Sequence, residues 1–133
     1  MILVLGRGDD MDSVLTSIKK LLGIEETDTN FDIDIMIYIN GALMSLNQLG
    51  VGPETGFTIT DKTVEWADFI GDRIDIELVK SYVYLKVRMI FDPPANSFVI
   101  DAMKTQAAEL EWRINIQIEN AAYIPEVVVE EEV

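Results

Sequence analysis

Hydrophobic and polar positions along "SYVYLKVRMIFDPP", residues 81–94, support two patterns. In steps of two, Val83, Leu85, Val87, Met89 and Phe91 share one face, and Tyr82, Tyr84, Lys86 and Arg88 the other, as in a strand rich in β-formers. Extended upstream to Asp75, the same letters make two adjacent helical stripes. One is Leu78, Tyr82, Leu85 and Met89; the other is Ile76, Val79, Val83, Val87 and Ile90. Length decides between them, because a strand of about 16 residues is unusually long and a helix of that length is ordinary. The run Asp92-Pro93-Pro94 stops it, since the residue before a proline is pushed out of the α region. A helix is therefore predicted over 74–91, with the β-propensities of Val, Ile and Tyr overridden by packing.

The same reasoning places the other elements. "DSVLTSIKKLLG" predicts a helix over 12–22, capped by Asp12 or Ser13, with Lys19 and Lys20 near its C-terminal dipole and Gly23 as the C′ residue. In "FDIDIMIYINGALMSLNQLG" the alternating isoleucines look like a strand, yet the pattern continues to Leu49. Ile35, Ile39, Ala42, Leu43, Leu46 and Leu49 then fall on one helical face over 31–49, with Asn30 or Asp32 as cap. Ile33, Ile37 and Met44 form a second apolar strip, which predicts that two neighbours pack this helix. "VGPETGFTITD" is turn-rich, with room for a hairpin-like excursion at 57–60. A short helix over 62–70 carries Val64, Trp66, Ala67 and Ile70 and ends at Gly71. The last helix, over 97–118 and capped by Asn96 or Ser97, presents Ile100, Met103, Ala107, Leu110, Ile114 and Ile118. Pro125 and three adjacent valines then break the helical pattern.

The fold class expected is all-α, a compact bundle of about five helices with an extended C-terminal tail. Residues 1–11 read as an arm or as a stretch outside the native coding sequence, 12–120 as the helical domain and 121–133 as an acidic tail.

Composition narrows the function. The chain has 133 residues, enough for one core, and 10 basic against 24 acidic residues give it a net charge of −14. That balance argues against gripping DNA or an anionic membrane electrostatically. The absence of Cys and His removes thiolate nucleophiles, the commonest general base and the commonest transition-metal ligand. No apolar stretch is long enough to span a bilayer. Asp32 and Asp34 read as helix-start acids rather than a hydrolytic or metal-binding pair, and Asp9, Asp10 and Asp12 lack the spacing of a calcium loop. No catalytic constellation, cofactor site or metal site emerges.

The remaining candidates are contact residues. Lys86 falls amid the apolar side of its helix, so its stem lies along the surface with the charge reaching solvent, or a carboxylate such as Asp68, Glu109 or Glu111 pairs with it. Trp66 and Trp112 serve a core or an interface. In the tail, Tyr123, Ile124, Val127, Val128 and Val129 read either as a solvated end guarded by Glu130–Glu132 or as a strand added to a partner's sheet.

"LNQLGVGP", "WADFIGD", "VKSYVYLKVRMIFDPP" and "ELEWRINIQ", in this order from Leu46 to Gln117, resemble the head–tail connector (adaptor) proteins of tailed phages and prophages of Gram-positive bacteria. The resemblance covers about Asp12 to Glu119. It implies a helical protein without enzymatic activity, located at the virion neck after assembly in the host cytoplasm. Its partners would be copies of itself in a ring matching the portal's twelvefold symmetry (a dodecamer), the portal protein, and the next tail-side head-completion or stopper protein. DNA would pass without specific binding, along a channel whose acidic wall repels phosphates. A different class also suits dense surface acid: a regulatory protein that inhibits a DNA-binding enzyme by mimicking DNA charge.

Overall fold

Five α-helices follow one another in the computed structural model, which describes residues 13–70 and 74–122: α1 Val14–Leu22, α2 Asp32–Gln48, α3 Trp66–Ile70, α4 Ile76–Phe91 and α5 Ser97–Ala122. Among the described residues there is no strand, only an isolated bridge between Ser13 and Glu65. The ambiguous segment is helical throughout. Val79, Tyr82, Val83, Leu85 and Val87 are all buried, so both stripes of α4 enter the core, while Ile90 at the C-terminal end of one of them is exposed. α4 lies between α2 and α5, with α1 packed against both α2 and α4. Local contacts of this kind explain why β-branched residues hold a helix here: the burial of a wide apolar face outweighs tenths of a kcal/mol of propensity per residue, roughly.

Helix boundaries follow identifiable contacts. Ser13 caps α1, its Oγ accepting from the Thr16 N–H at 3.2 Å and donating to the Lys62 carbonyl at 2.7 Å. Gly23 closes α1 at φ 82°, a left-handed conformation that favours glycine. Asp75 caps α4 through the Glu77 N–H at 2.9 Å, and Asn96 accepts from the Phe98 N–H at 2.7 Å at the start of α5.

Four expectations are corrected. Neither Asn30 nor Asp32 caps α2: Phe31 occupies the N-cap with no side-chain bond, and Asp32 stands in the first turn. α3 begins four residues late, at Trp66. The preceding stretch is drawn into contacts with α1, where Ser13 Oγ bonds the Lys62 carbonyl and the Val14 N–H donates to the Val64 carbonyl at 3.0 Å. The 57–60 stretch is no hairpin, because Ile59 is buried and its N–H and C=O pair with the Asn40 amide instead. Finally, α5 continues to Ala122. The alternation in "INIQIE" is incidental: Ile114 enters the core, Ile118 packs beside Gly50, and Gln117 accepts from the Asp75 N–H at 2.8 Å. Gly71 and the tail from Tyr123 onward, including Ile124, Val127, Val128 and Val129, lie outside the described residues.

Candidate interaction surfaces

α2 is built with three functions around its circumference. Its core face inserts Ile35, Ile39, Ala42, Leu43 and Leu46. A polar edge holds the long connection to α3. Asn40, one helical face away from the core, donates to the Ile59 carbonyl at 3.1 Å and accepts from the Ile59 N–H at 2.8 Å. Asn47, seven residues on and therefore on the same edge, donates to the Val51 and Pro53 carbonyls at 2.9 and 2.7 Å. Within this connection Gly52 has φ 84°, and a Cβ there would lie 2.6 Å from Phe69. Gly52, the second glycine in "LNQLGVGP", thus permits the connection to close onto α3.

The third side of α2 is bare. Ile33, Ile37 and Met44 are 71 %, 59 % and 58 % exposed. Gly41 sits among them at helical spacing, exposed, with nothing within 4 Å of where a Cβ would stand. Scattered single apolar side chains are ordinary on a surface, but a contiguous stripe along one helix marks a contact site. Beside Met44, the loop residues Thr55–Thr58 border a depression of about 310 Å³. Among the described residues, the second neighbour predicted for this helix is absent.

α5 exposes two large aromatic side chains. Trp112 is 65 % and Phe98 83 % exposed, and their spacing of fourteen residues puts both on the face opposite Ala107, Leu110 and Ile114. Lys104 and Arg113 are exposed to either side of that face, and the exposed acids Asp101, Glu109 and Glu119 stand on it at helical spacing from Trp112, so both surfaces are acidic overall.

The other sequence candidates divide. Trp66 is buried, and its indole N–H donates to Ser17 Oγ at 2.8 Å, so it is a core residue of this chain and not a surface anchor. Lys86 is half-buried with its ammonium 5.8 Å from the centre of the Tyr82 ring, a cation–π contact. Among the described residues no carboxylate lies within ion-pair distance of it, so pairing with Asp68, Glu109 or Glu111 of the same subunit is excluded. Glu111 has a different partner: its Oε2 accepts from the Tyr82 hydroxyl at 2.7 Å. Burial first, then that hydrogen bond and the carboxylate's charge, hold the Tyr82 phenol well above the usual tyrosine range.

The buried charge pair was not legible in sequence. Lys19, placed by sequence near the C-terminal dipole of α1, is buried and donates to the Glu26 and Asp28 carbonyls at 3.1 and 2.8 Å. Its third partner is Asp32 Oδ1 at 2.8 Å, a buried oxygen with no other hydrogen bond. Phe98 and Gly41 were also missed, the first because nothing in its spacing separates a core from an exposed position next to a helix start. Among the described residues, no three acidic side chains converge to hold a metal and no helix is long and apolar enough to cross a membrane.

The chain matches the family model for "Phage connector protein" over residues 14–121. Neither the comparison with curated proteins nor that with solved structures found a match.

Proposed function

Because the chain belongs to the phage connector protein family, a structural and not an enzymatic family, we propose that it forms a ring beneath the portal of a DNA-filled head. The ring extends the DNA channel and offers a docking surface to the next tail-side protein at the virion neck. The observation that carries this reading is the presence of exposed apolar side chains on two different helices of one small domain, the α2 strip and the α5 aromatics Phe98 and Trp112. A ring needs contacts of this kind, since each subunit must present different patches to its two neighbours. The family match favours this reading over a DNA-mimicking inhibitor.

In the same reading the channel wall is acidic, so that phosphates slide past a chain of net charge −14 without binding. The tail, Tyr123–Val133, attaches the ring to its partner by adding a strand to a partner sheet, with alternate valines filling pockets. Heads prepared without this protein provide the test. They are expected to lose DNA or fail to accept tails, and purified protein is expected to restore tail joining. Heads that join tails equally well without it would refute the proposal.

A further inference from the structure

We propose that residues 57–60 are a strand-addition site, and that residues 2–5 of the chain's own N-terminal arm occupy it. The inference concerns the single subunit and stands apart from the ring reading.

The stretch "FTIT" consists of β-formers. Ile59 is buried while Thr58 and Thr60 on either side of it are exposed, and none of the four has a positive φ, so burial alternates as it does along a strand. The hydrogen bonding alternates as well. Both backbone groups of Ile59 are taken by one side chain, the Asn40 amide, which accepts from the N–H at 2.8 Å and donates to the C=O at 3.1 Å. In an extended chain the N–H and C=O of one residue point to the same side, and those of its neighbours to the other. The groups of Thr58 and Thr60 therefore face away from Asn40, and among the described residues no hydrogen bond reaches them. Asn40 stands in for a partner strand along one edge and leaves the second edge open. An open edge is a template on which a further extended segment pairs.

Three features identify the arm as the occupant. The first is composition. Ile2, Leu3, Val4 and Leu5 form an apolar run with two β-branched members, followed by Gly6 and Gly8, which permit the chain to reverse. The second is position. The Ser13 hydroxyl donates to the Lys62 carbonyl at 2.7 Å and the Val14 N–H to the Val64 carbonyl at 3.0 Å, so the arm departs from a point two residues along the chain from Thr60. The third is length. Residues 6–12 connect the run to Ser13, and seven residues span up to about 23 Å, ample for a segment tethered beside Lys62. So short a tether holds the run at an effective concentration on the order of millimolar, an advantage that a strand from any other molecule lacks.

Amide hydrogen exchange read residue by residue by NMR tests the seat. The Thr58 and Thr60 amides are expected to exchange at least roughly tenfold more slowly in the full chain than in a chain lacking residues 1–8. The Ile59 amide, held by Asn40, should be equally slow in both and reports that the fold is intact. Thr58 and Thr60 amides that are unprotected in the full chain would overturn the inference. Leu3→Pro and Val4→Pro supply a second measurement. Adjacent residues of a strand send their N–H groups to opposite sides, so one of these two substitutions removes a donor to the open edge. Fast exchange at Thr58 and Thr60 is expected in at least one of the two variants, and slow exchange in both would overturn the seat. Protection that rises with protein concentration would assign the edge to another copy, and would equally overturn a seat for the chain's own arm.

Discussion

Replacing Lys19 by Met should destabilise the domain more than any surface substitution, although the lysine stands in the last turn of a helix. Its ammonium has three donors and three partners, the Glu26 and Asp28 carbonyls and Asp32 Oδ1. Methionine fits the same apolar stem space, so little packing is lost. The electrostatic loss is larger. Breaking a buried ion pair by removing one member costs about 3–5 kcal/mol. Here the Asp32 side chain remains 22 % exposed, so water reaches part of the abandoned carboxylate and the expected loss falls to roughly 2–4 kcal/mol. For a domain of this size that corresponds to a fall in melting temperature of roughly 10 °C. The double variant Lys19→Met with Asp32→Asn should recover part of the loss, because the residual partner is no longer charged. Denaturant unfolding of the two singles and the double gives the coupling directly, expected at roughly 2 kcal/mol. A Lys19→Met cost below about 1 kcal/mol, or strict additivity, would refute the assignment of this pair as the clasp between α1 and α2.

Other outcomes follow from single contacts. Gly52→Ala combines an unfavourable positive φ with a Cβ placed 2.6 Å from Phe69, and should lose roughly 2–4 kcal/mol in chemical denaturation; a change within experimental error would show that the connection to α3 is soft. The Tyr82 phenol, raised by burial and by Glu111, stays neutral in the folded protein when tyrosines of the unfolded chain ionise near about pH 10. Its contribution is therefore fully present below that pH and lost as the pH rises further, so stability should fall less steeply in alkali for Tyr82→Phe; phenolate absorbance from Tyr82 appearing near about pH 10 in the folded protein would contradict this. Deleting residues 124–133 should leave melting behaviour unchanged and abolish stable attachment to the portal; retained attachment would make the tail a solvated end.

Periodicity carried most of the fold. The stripes of α4 were readable because Asp75 and Pro93 bracket a length that only a helix accommodates. The strip of Ile33, Ile37 and Met44 was readable for the same reason, as a second apolar side on a helix whose core face was already assigned. What periodicity cannot distinguish is the identity of the neighbour, and among the described residues that side has none. Trp66 and Trp112 illustrate the limit: each lies in an apolar pattern, yet one is sealed against Ser17 and the other projects outward. The Lys19–Asp32 pair and the Asn40 and Asn47 clasps were hidden because each depends on where a loop returns, a non-local property that composition and spacing do not encode. Lys86, singled out for its place on an apolar face, has an aromatic ring one turn earlier on the same helix beside its ammonium in place of an acid.

The most direct test of ring formation is electron microscopy of the purified chain mixed with the portal protein of its phage, with the copy number checked by native mass measurement. A single closed ring coaxial with the portal, its channel continuous with the portal's and lined by more acidic than basic side chains, is the result expected. A chain that remains monomeric beside an unchanged portal, or a ring whose lumen is lined mainly by lysines and arginines, would contradict the connector mechanism proposed here.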